Sequence, residues 1–429
     1  MRYKAPHSDL FVHNRQKLYK FLKPGSATIV HSNDIMPTNA DGNMPFKQNA
    51  DFYFLAGVDQ EESVLVLFPD APKSGMNEML FIKKTNEHIA VWEGEKLSKE
   101  QAQKVSGIAN IYWLDEMEAK LKEVFSMTQD IYLNSNEHTR RWIPTQTRTE
   151  RENEAIKAKH PLHTYLRLAP FMHKIRATKH PLEIEQMQKA CDITNAGFRR
   201  LLKTTKPGMM EYELEAELQH EFIRSGSRGF AYEPIIASGA SACVLHYNIN
   251  NKAIKDGDLI LLDIGAEYGN YAADLSRCIP ASGKFSARQK EVYNAALKVQ
   301  KACYGLLKPG VLLGDYHLKV GEIMTNELLE LGLITTAEVK NQDPAWPAYK
   351  KYFMHGTSHF IGLDVHDVGL WHEPIEAGNC FTIEPGIYIQ EEGLGVRIEN
   401  DILITEDGFV DLMADIPREV EEIEDLMKG

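Results

Sequence analysis

Four carboxylates and one histidine occupy apolar, strand-like segments of this chain: Asp263 and Asp274 in LLDIGAEYGNYAADLSR, His359 in HGTSHFIGLDVHD, Glu384 in FTIEPGIYI and Glu399 in GVRIEND. Four carboxylates converging in a half-buried site would repel one another until some took up protons. Two divalent ions balance that charge, and bridging carboxylates hold such ions roughly 3.5–4 Å apart, the separation typical of two-metal hydrolases. An oxygen-rich set with one imidazole and no thiolate favours manganese, with zinc or cobalt also accommodated. Taken singly, each of these residues reads more simply as a turn, edge or structural residue. Their joint occurrence on apolar segments is what points to a two-metal hydrolytic centre.

Strand parity supplies a reason to group them. In a hairpin with an even-numbered loop, cross-strand partners have residue numbers with an odd sum, and same-face neighbours keep that parity. Asp263 and Asp274 satisfy it if the chain reverses near Tyr268, Gly269 and Asn270. Glu384 and Glu399 satisfy it with a reversal around Glu391 to Gly395, unless Pro385 and Gly386 insert a bulge.

The surrounding chain sets limits. It has 429 residues, 43% hydrophobic and 25% charged, which is enough for two domains with separate cores. No apolar run approaches the ~20 residues needed to span a bilayer, and MRYKAPHSDLFVHNRQKLYKF lacks the apolar core of a secretory signal, so a cytoplasmic protein without a membrane partner is expected. Five scattered cysteines without CxxC spacing indicate neither a disulfide framework nor a thiolate metal site. A net charge of −13 without a basic stripe argues against nucleic acid.

Two domains are expected, 1–176 and 177–429. The first alternates strand-like runs at 27–32, 51–57, 63–70, 78–84 and 129–134 with polar stretches, as a small α/β domain does. In the second, a helix should begin at HPLE, with Pro181 in its first turn and an apolar stripe of Ile184, Met187, Cys191, Phe198, Leu201 and Leu202. It should stop before Lys206-Pro207-Gly208 and be followed by a helix burying Leu214, Leu218 and Phe222. The order then recurs. Ser286 is placed to cap a helix carrying Val292, Val299, Cys303 and Leu306, another Lys308-Pro309-Gly310 ends it, and Asp315 is placed to cap the next. Each helix pair precedes a strand-rich stretch with two acids, as in a duplicated unit with the site between its halves.

These residues resemble a known family. HGTSHFIGLDVHDVG, TIEPGIYI, GVRIEND, LLDIGAEYGNYAADLSR and VLHY are similar to the motifs of the metal-dependent aminopeptidase P group, whose pita-bread fold is shared with prolidase, methionine aminopeptidase and creatinase. MPFKQNADFYFLAGVDQEESVLVLFPD resembles the N-terminal domain of aminopeptidase P, so the likeness covers nearly the whole chain. The resemblance implies an α/β N-terminal domain followed by an α+β pita-bread catalytic domain. It implies that Asp263 binds one ion, His359 and Glu384 the other, and that Asp274 and Glu399 bridge both. It further implies roles for His246, His355, His366, Tyr388 and Arg397, and a homodimer or homotetramer.

The expected reaction is release of the N-terminal residue from peptides with proline second, by a hydroxide bridging two ions. Glu384 is the candidate to move the proton, and His246 or His366 to stabilise the oxyanion. A proline pocket is expected from His355, His366, Tyr388 and Arg397, with Arg397 alternatively only orienting Glu399. The resemblance sets the N-terminal domain beside a neighbouring subunit's active site, with Asp41 a candidate contributor that read alone is a turn residue. The rivals are a prolidase confined to dipeptides and a non-catalytic peptide-binding or chaperone relative.

Overall fold

Aliphatic runs in the first part of the chain build a mixed six-stranded sheet. Its strands are β1 (Ala27–His31), β2 (Val64–Leu67), β3 (Glu78–Ile82), β4 (Asn110–Trp113), β5 (Asp130–Leu133) and β6 (Thr164–Arg167), in the spatial order β4-β3-β2-β1-β5-β6. The computed structural model describes residues 3–140 and 144–428, and the chain divides into Ala5–Arg176 and Met1–Lys4 with Ala177–Gly429. β1 and β2 are buried along their whole length, which is why they read as continuous apolar runs rather than alternating ones. Ile29, Val66, Phe81, Val124 and Ile131 share one core beneath the sheet.

One expected strand is a helix. DFYFLAG lies in the helix Ala50–Ala56, because Asn49 accepts from the Phe52 backbone N–H at its start and Gly57, at φ 67°, closes its end. Capping outweighed the β preference of its aromatic residues.

In the second unit the expected order of elements is present twice. The helix Pro181–Thr204 has Pro181 in its first turn and His180 with Glu183 as a capping box, and it buries Met187, Cys191, Phe198, Leu201 and Leu202, while Ile184 is only half-buried. The helix Glu211–Arg224 follows, burying Leu214, Leu218 and Phe222. After it come β7 (Ile235–Ser238), β8 (Leu259–Ile264), β9 (Glu267–Tyr268), β10 (Tyr271–Ala272) and β11 (Leu275–Pro280).

The second pass begins with the helix Ala287–Tyr304, capped by Ser286 as expected, though Leu306 lies beyond its end. The next helix is Leu313–Glu330, and its N-cap is Leu312. Asp315 is not the cap but sits in the first turn, where a carboxylate meets the positive helix end. Then come β12 (Cys380–Ile383), β13 (Gly386–Ile389), β14 (Leu394–Arg397), β15 (Asn400–Thr405) and β16 (Gly408–Asp411). All five cysteines are free and buried. Among the described residues no helix is long and apolar enough to cross a membrane.

Burial of His31 in β1 makes the N-terminal unit acid-sensitive. Burial first, and the Arg148 charge second, push its imidazole down to about 3. Its stabilising contribution is therefore complete above the unfolded value near 6.5 and is lost as pH falls toward 3. Between pH 7 and 5 the loss should be about 2 kcal/mol. Thermal unfolding of His31→Phe beside the parent protein checks this: the variant should lose less stability over that interval, and equal losses would contradict it.

Candidate metal centre

Two hairpins carry the acids. In the first, Ser276 lies opposite Asp263 and Leu275 opposite Ile264, so Asp274 is the same-face neighbour of Asp263. The register holds out to the tip, where Tyr271 pairs Tyr268 across a two-residue turn. That turn needs positive φ at both central positions; Gly269 adopts 60° and Asn270 70°.

In the second hairpin, Ile383 opposite Asn400 and Gly386 opposite Arg397 belong to one continuous register. No residue is inserted at Pro385, and Glu384 comes opposite Glu399. Arg397 and Tyr388 fall on the same face by the two-residue repeat.

Arg277, fully buried, joins the two hairpins. Its guanidinium donates to the Ser276 carbonyl at 2.9 Å, the Glu399 carbonyl at 2.7 Å, Asn400 Oδ1 at 2.7 Å and the Pro417 carbonyl at 2.8 Å. Across the same seam the Glu399 N–H donates to the Ser276 carbonyl at 3.0 Å, and Ser276 Oγ donates to Glu399 Oε2 at 2.6 Å.

His359 arrives from a separate segment. Its Nδ1 faces the Phe360 carbonyl at 2.9 Å, so the proton belongs on Nδ1 and Nε2 is left as the lone-pair donor. Nε2 lies 3.5 Å from Asp274 Oδ2 and 3.8 Å from Glu384 Oε1. Donor atoms of Asp274, His359 and Glu399, all buried, lie within 4.8 Å of one another.

The electrostatics are those of an over-charged cluster. The Asp263 carboxyl is raised by burial, against the pull of Arg397. Burial also lifts Glu384 to about 7, and lifts Glu399 well above the usual range with help from Asp274, Glu384 and Asp263. Burial alone would lower His359, yet the neighbouring Asp274 and Glu384 bring it up to about 9. A divalent ion would relieve all four effects, so the residues fit a cation site.

A tyrosine completes the cluster. The Tyr232 hydroxyl lies 2.6 Å from Asp263 Oδ1 and 2.6 Å from Asp274 Oδ1. One hydroxyl proton serves one of them at a time, leaving the other oxygen open to a cation. Tyr232 escaped sequence reasoning because GFAYEP carries no ligand spacing; Ser276 escaped it because a serine between Leu275 and Arg277 in a strand gives no signal of its own.

Of the remaining candidates, Arg397 and His366 touch this centre, and Tyr388 and His355 follow Arg397. Arg397, 4% exposed, donates to Asp263 Oδ2 at 2.6 Å, Ser276 Oγ at 2.8 Å and the Tyr388 hydroxyl at 2.8 Å. Tyr388 in turn faces His355 Nε2 at 2.8 Å, with His355 Nδ1 on the Gly356 carbonyl at 2.8 Å. Burial pushes the His355 imidazole down to about 3. His366 is exposed but packs edge-on against His359, ring centres 4.4 Å apart. His246 lies in an exposed turn after the short helical segment Gly239–Cys243. Asp41 sits in an exposed turn beside the bridge between Pro37 and Asn43, in the other unit.

Known proteins share this organisation. The metallopeptidase family M24 model matches residues 185–406, and the model of the aminopeptidase P N-terminal domain matches 11–132. The Xaa-Pro aminopeptidase of Escherichia coli is 34% identical over 435 residues, covering 97% of each chain. The Xaa-Pro dipeptidase of Mus musculus is 30% identical over 477 residues, covering 98% of this chain and 93% of its own. A Bacillus anthracis structure described as a candidate aminopeptidase P superposes with a TM-score of 0.91 at 37% identity, over 98% of each chain. The chain therefore belongs to metallopeptidase family M24, metal-dependent hydrolases, with an α/β N-terminal domain of the aminopeptidase P type ahead of an α+β pita-bread catalytic domain.

Proposed function

We propose that this protein is a dinuclear-metal aminopeptidase that releases the N-terminal residue from peptides with proline in the second position. The observation that carries the proposal is the convergence of Asp274, His359 and Glu399 in one buried volume, with Asp263 and Glu384 at its edges. Asp263 would hold one ion, His359 and Glu384 the other, and Asp274 and Glu399 both. When bound, two divalent ions lower the pKa of water toward neutrality and polarise a carbonyl oxygen.

This chain's own residues supply the rest. A proline nitrogen carries no hydrogen and must gain one to leave as an amine. Glu384 suits that transfer. Asp263, Asp274 and Glu399 are held by Tyr232, Arg397 or Ser276, whereas the imidazoles facing the Glu384 carboxylate stand 3.8 Å away. It is the acid least committed to a fixed donor and so the best placed to take a proton and return it.

His366, packed against His359, is the better-placed candidate for the oxyanion, with His246, exposed in its turn, as the alternative. His355 and Tyr388 would form the wall against the proline ring. Arg397 spends its donors on Asp263, Ser276 and Tyr388, which supports an orienting role over direct substrate contact. The likeness to a mouse Xaa-Pro dipeptidase keeps a dipeptide-only enzyme as the second reading.

Hydrolysis of Ala-Pro-Ala, Ala-Pro and Ala-Ala-Ala by manganese-loaded protein separates them. Release of alanine from Ala-Pro-Ala, abolished by chelation, is expected; cleavage of Ala-Pro alone would move the protein to the dipeptidase reading. Asp274→Asn should abolish turnover and lower bound metal while the circular dichroism spectrum is retained, and persistent turnover would remove its bridging role. Tyr232→Phe should weaken metal affinity by about 10–100-fold in a metal titration, and an unchanged titration would show that its hydroxyl does not tune the ligands.

A further inference from the structure

The segment that presents His366 has neither helix nor strand to stiffen it: residues 361–370 run as bends and irregular chain, and His366 itself is exposed. What restrains it lies one residue on. The Asp367 carboxylate takes the Lys179 ammonium at 2.8 Å, with both side chains 1% exposed. Lys179 comes from a distant stretch of chain, just ahead of the helix Pro181–Thr204, and its own N–H donates to the Gly378 carbonyl at 2.8 Å. The other Asp367 oxygen accepts from the Val368 N–H at 2.8 Å, and the Asp367 N–H closes the loop on the Phe360 carbonyl at 2.9 Å.

Gly362 passes against the pair. A Cβ there would come 2.3 Å from Asp367 Oδ2 and 2.7 Å from Lys179 Cε. The Gly362 carbonyl accepts from the Ala272 N–H at 2.8 Å, tying the loop to β10 of the first acidic hairpin. A buried ion pair adds little to stability over an apolar pair of the same size, whereas its geometry is specific.

We propose that Lys179 and Asp367 form a positioning pair that holds His366 against His359 for the reaction, acting through the loop 361–370 and without touching substrate. The role depends on the participation of His366 proposed above. Displacing a reacting group by about 1 Å can cost 10²-fold in rate, so the pair has leverage out of proportion to its distance from the chemistry.

A double-mutant cycle on manganese-loaded, full-length protein tests this, with kcat and KM for Ala-Pro-Ala and bound metal per chain as readouts. Lys179→Met with Asp367→Asn removes both charges at once, so neither is left buried and unpaired. Asp367→Asn alone, which keeps the shape of the side chain but removes the charge facing the buried Lys179 ammonium, is the second variant. Each should lower kcat, the double substitution by about 10–100-fold, at unchanged metal content. In a His366→Ala background the same substitutions should cost less than about twofold, because the group they position is gone. Equal losses in both backgrounds, no loss in either, or loss of metal would overturn the positioning role. A His366→Ala protein with undiminished kcat would overturn the prior reading of His366 instead.

Discussion

Like charges held out of water are the constraint on which this catalytic unit turns. Asp274 and Glu399 converge with His359, Asp263 and Glu384 stand at the edges of that cluster, and burial pushes the carboxyls of Asp263, Glu384 and Glu399 above their ordinary range. Among the described residues Arg397 is the guanidinium bonded to them, and it reaches Asp263 directly and Glu399 only through Ser276. The cluster makes physical sense as a host for cations, and His359, with Nδ1 committed to a carbonyl, adds a lone pair aimed inward.

A cluster of that kind holds its geometry only if the two strand pairs cannot slide. Slipping either hairpin by one residue would turn its acids to the opposite face. The two-residue turn at Gly269 and Asn270 pins the first register, and the continuous pairing on both sides of Pro385 pins the second. Arg277 then fastens one hairpin to the other through backbone carbonyls rather than through the acids, so the clamp does not draw on their carboxylate oxygens. Side chains whose positions depend on loops, among them His246 and His366, are exposed.

Much of this was legible in the sequence because it rests on period and parity. Odd-sum pairing grouped Asp263 with Asp274 and Glu384 with Glu399, and Pro181 and Ser286 marked helix starts that the structure has. Where local signals competed, reading by propensity failed. DFYFLAG looks like a strand, yet Asn49 and Gly57 cap it as a helix. Asp315 looks like a cap, yet the helix starts two residues earlier, at Leu313. Tyr232 touching Asp263 and Asp274, Arg277 joining the hairpins and Lys179 meeting Asp367 are contacts between segments far apart in the chain. No spacing rule on a single sequence reaches them.

We propose that the acids of the two hairpins hold two ions as one unit. Low-temperature electron paramagnetic resonance of the protein loaded with two equivalents of manganese(II) tests this. A spin-coupled pair, signalling two ions that share bridging carboxylates, is the expected result. A spectrum made up wholly of isolated six-line manganese signals would mean that the hairpins do not build a common site, and would contradict it.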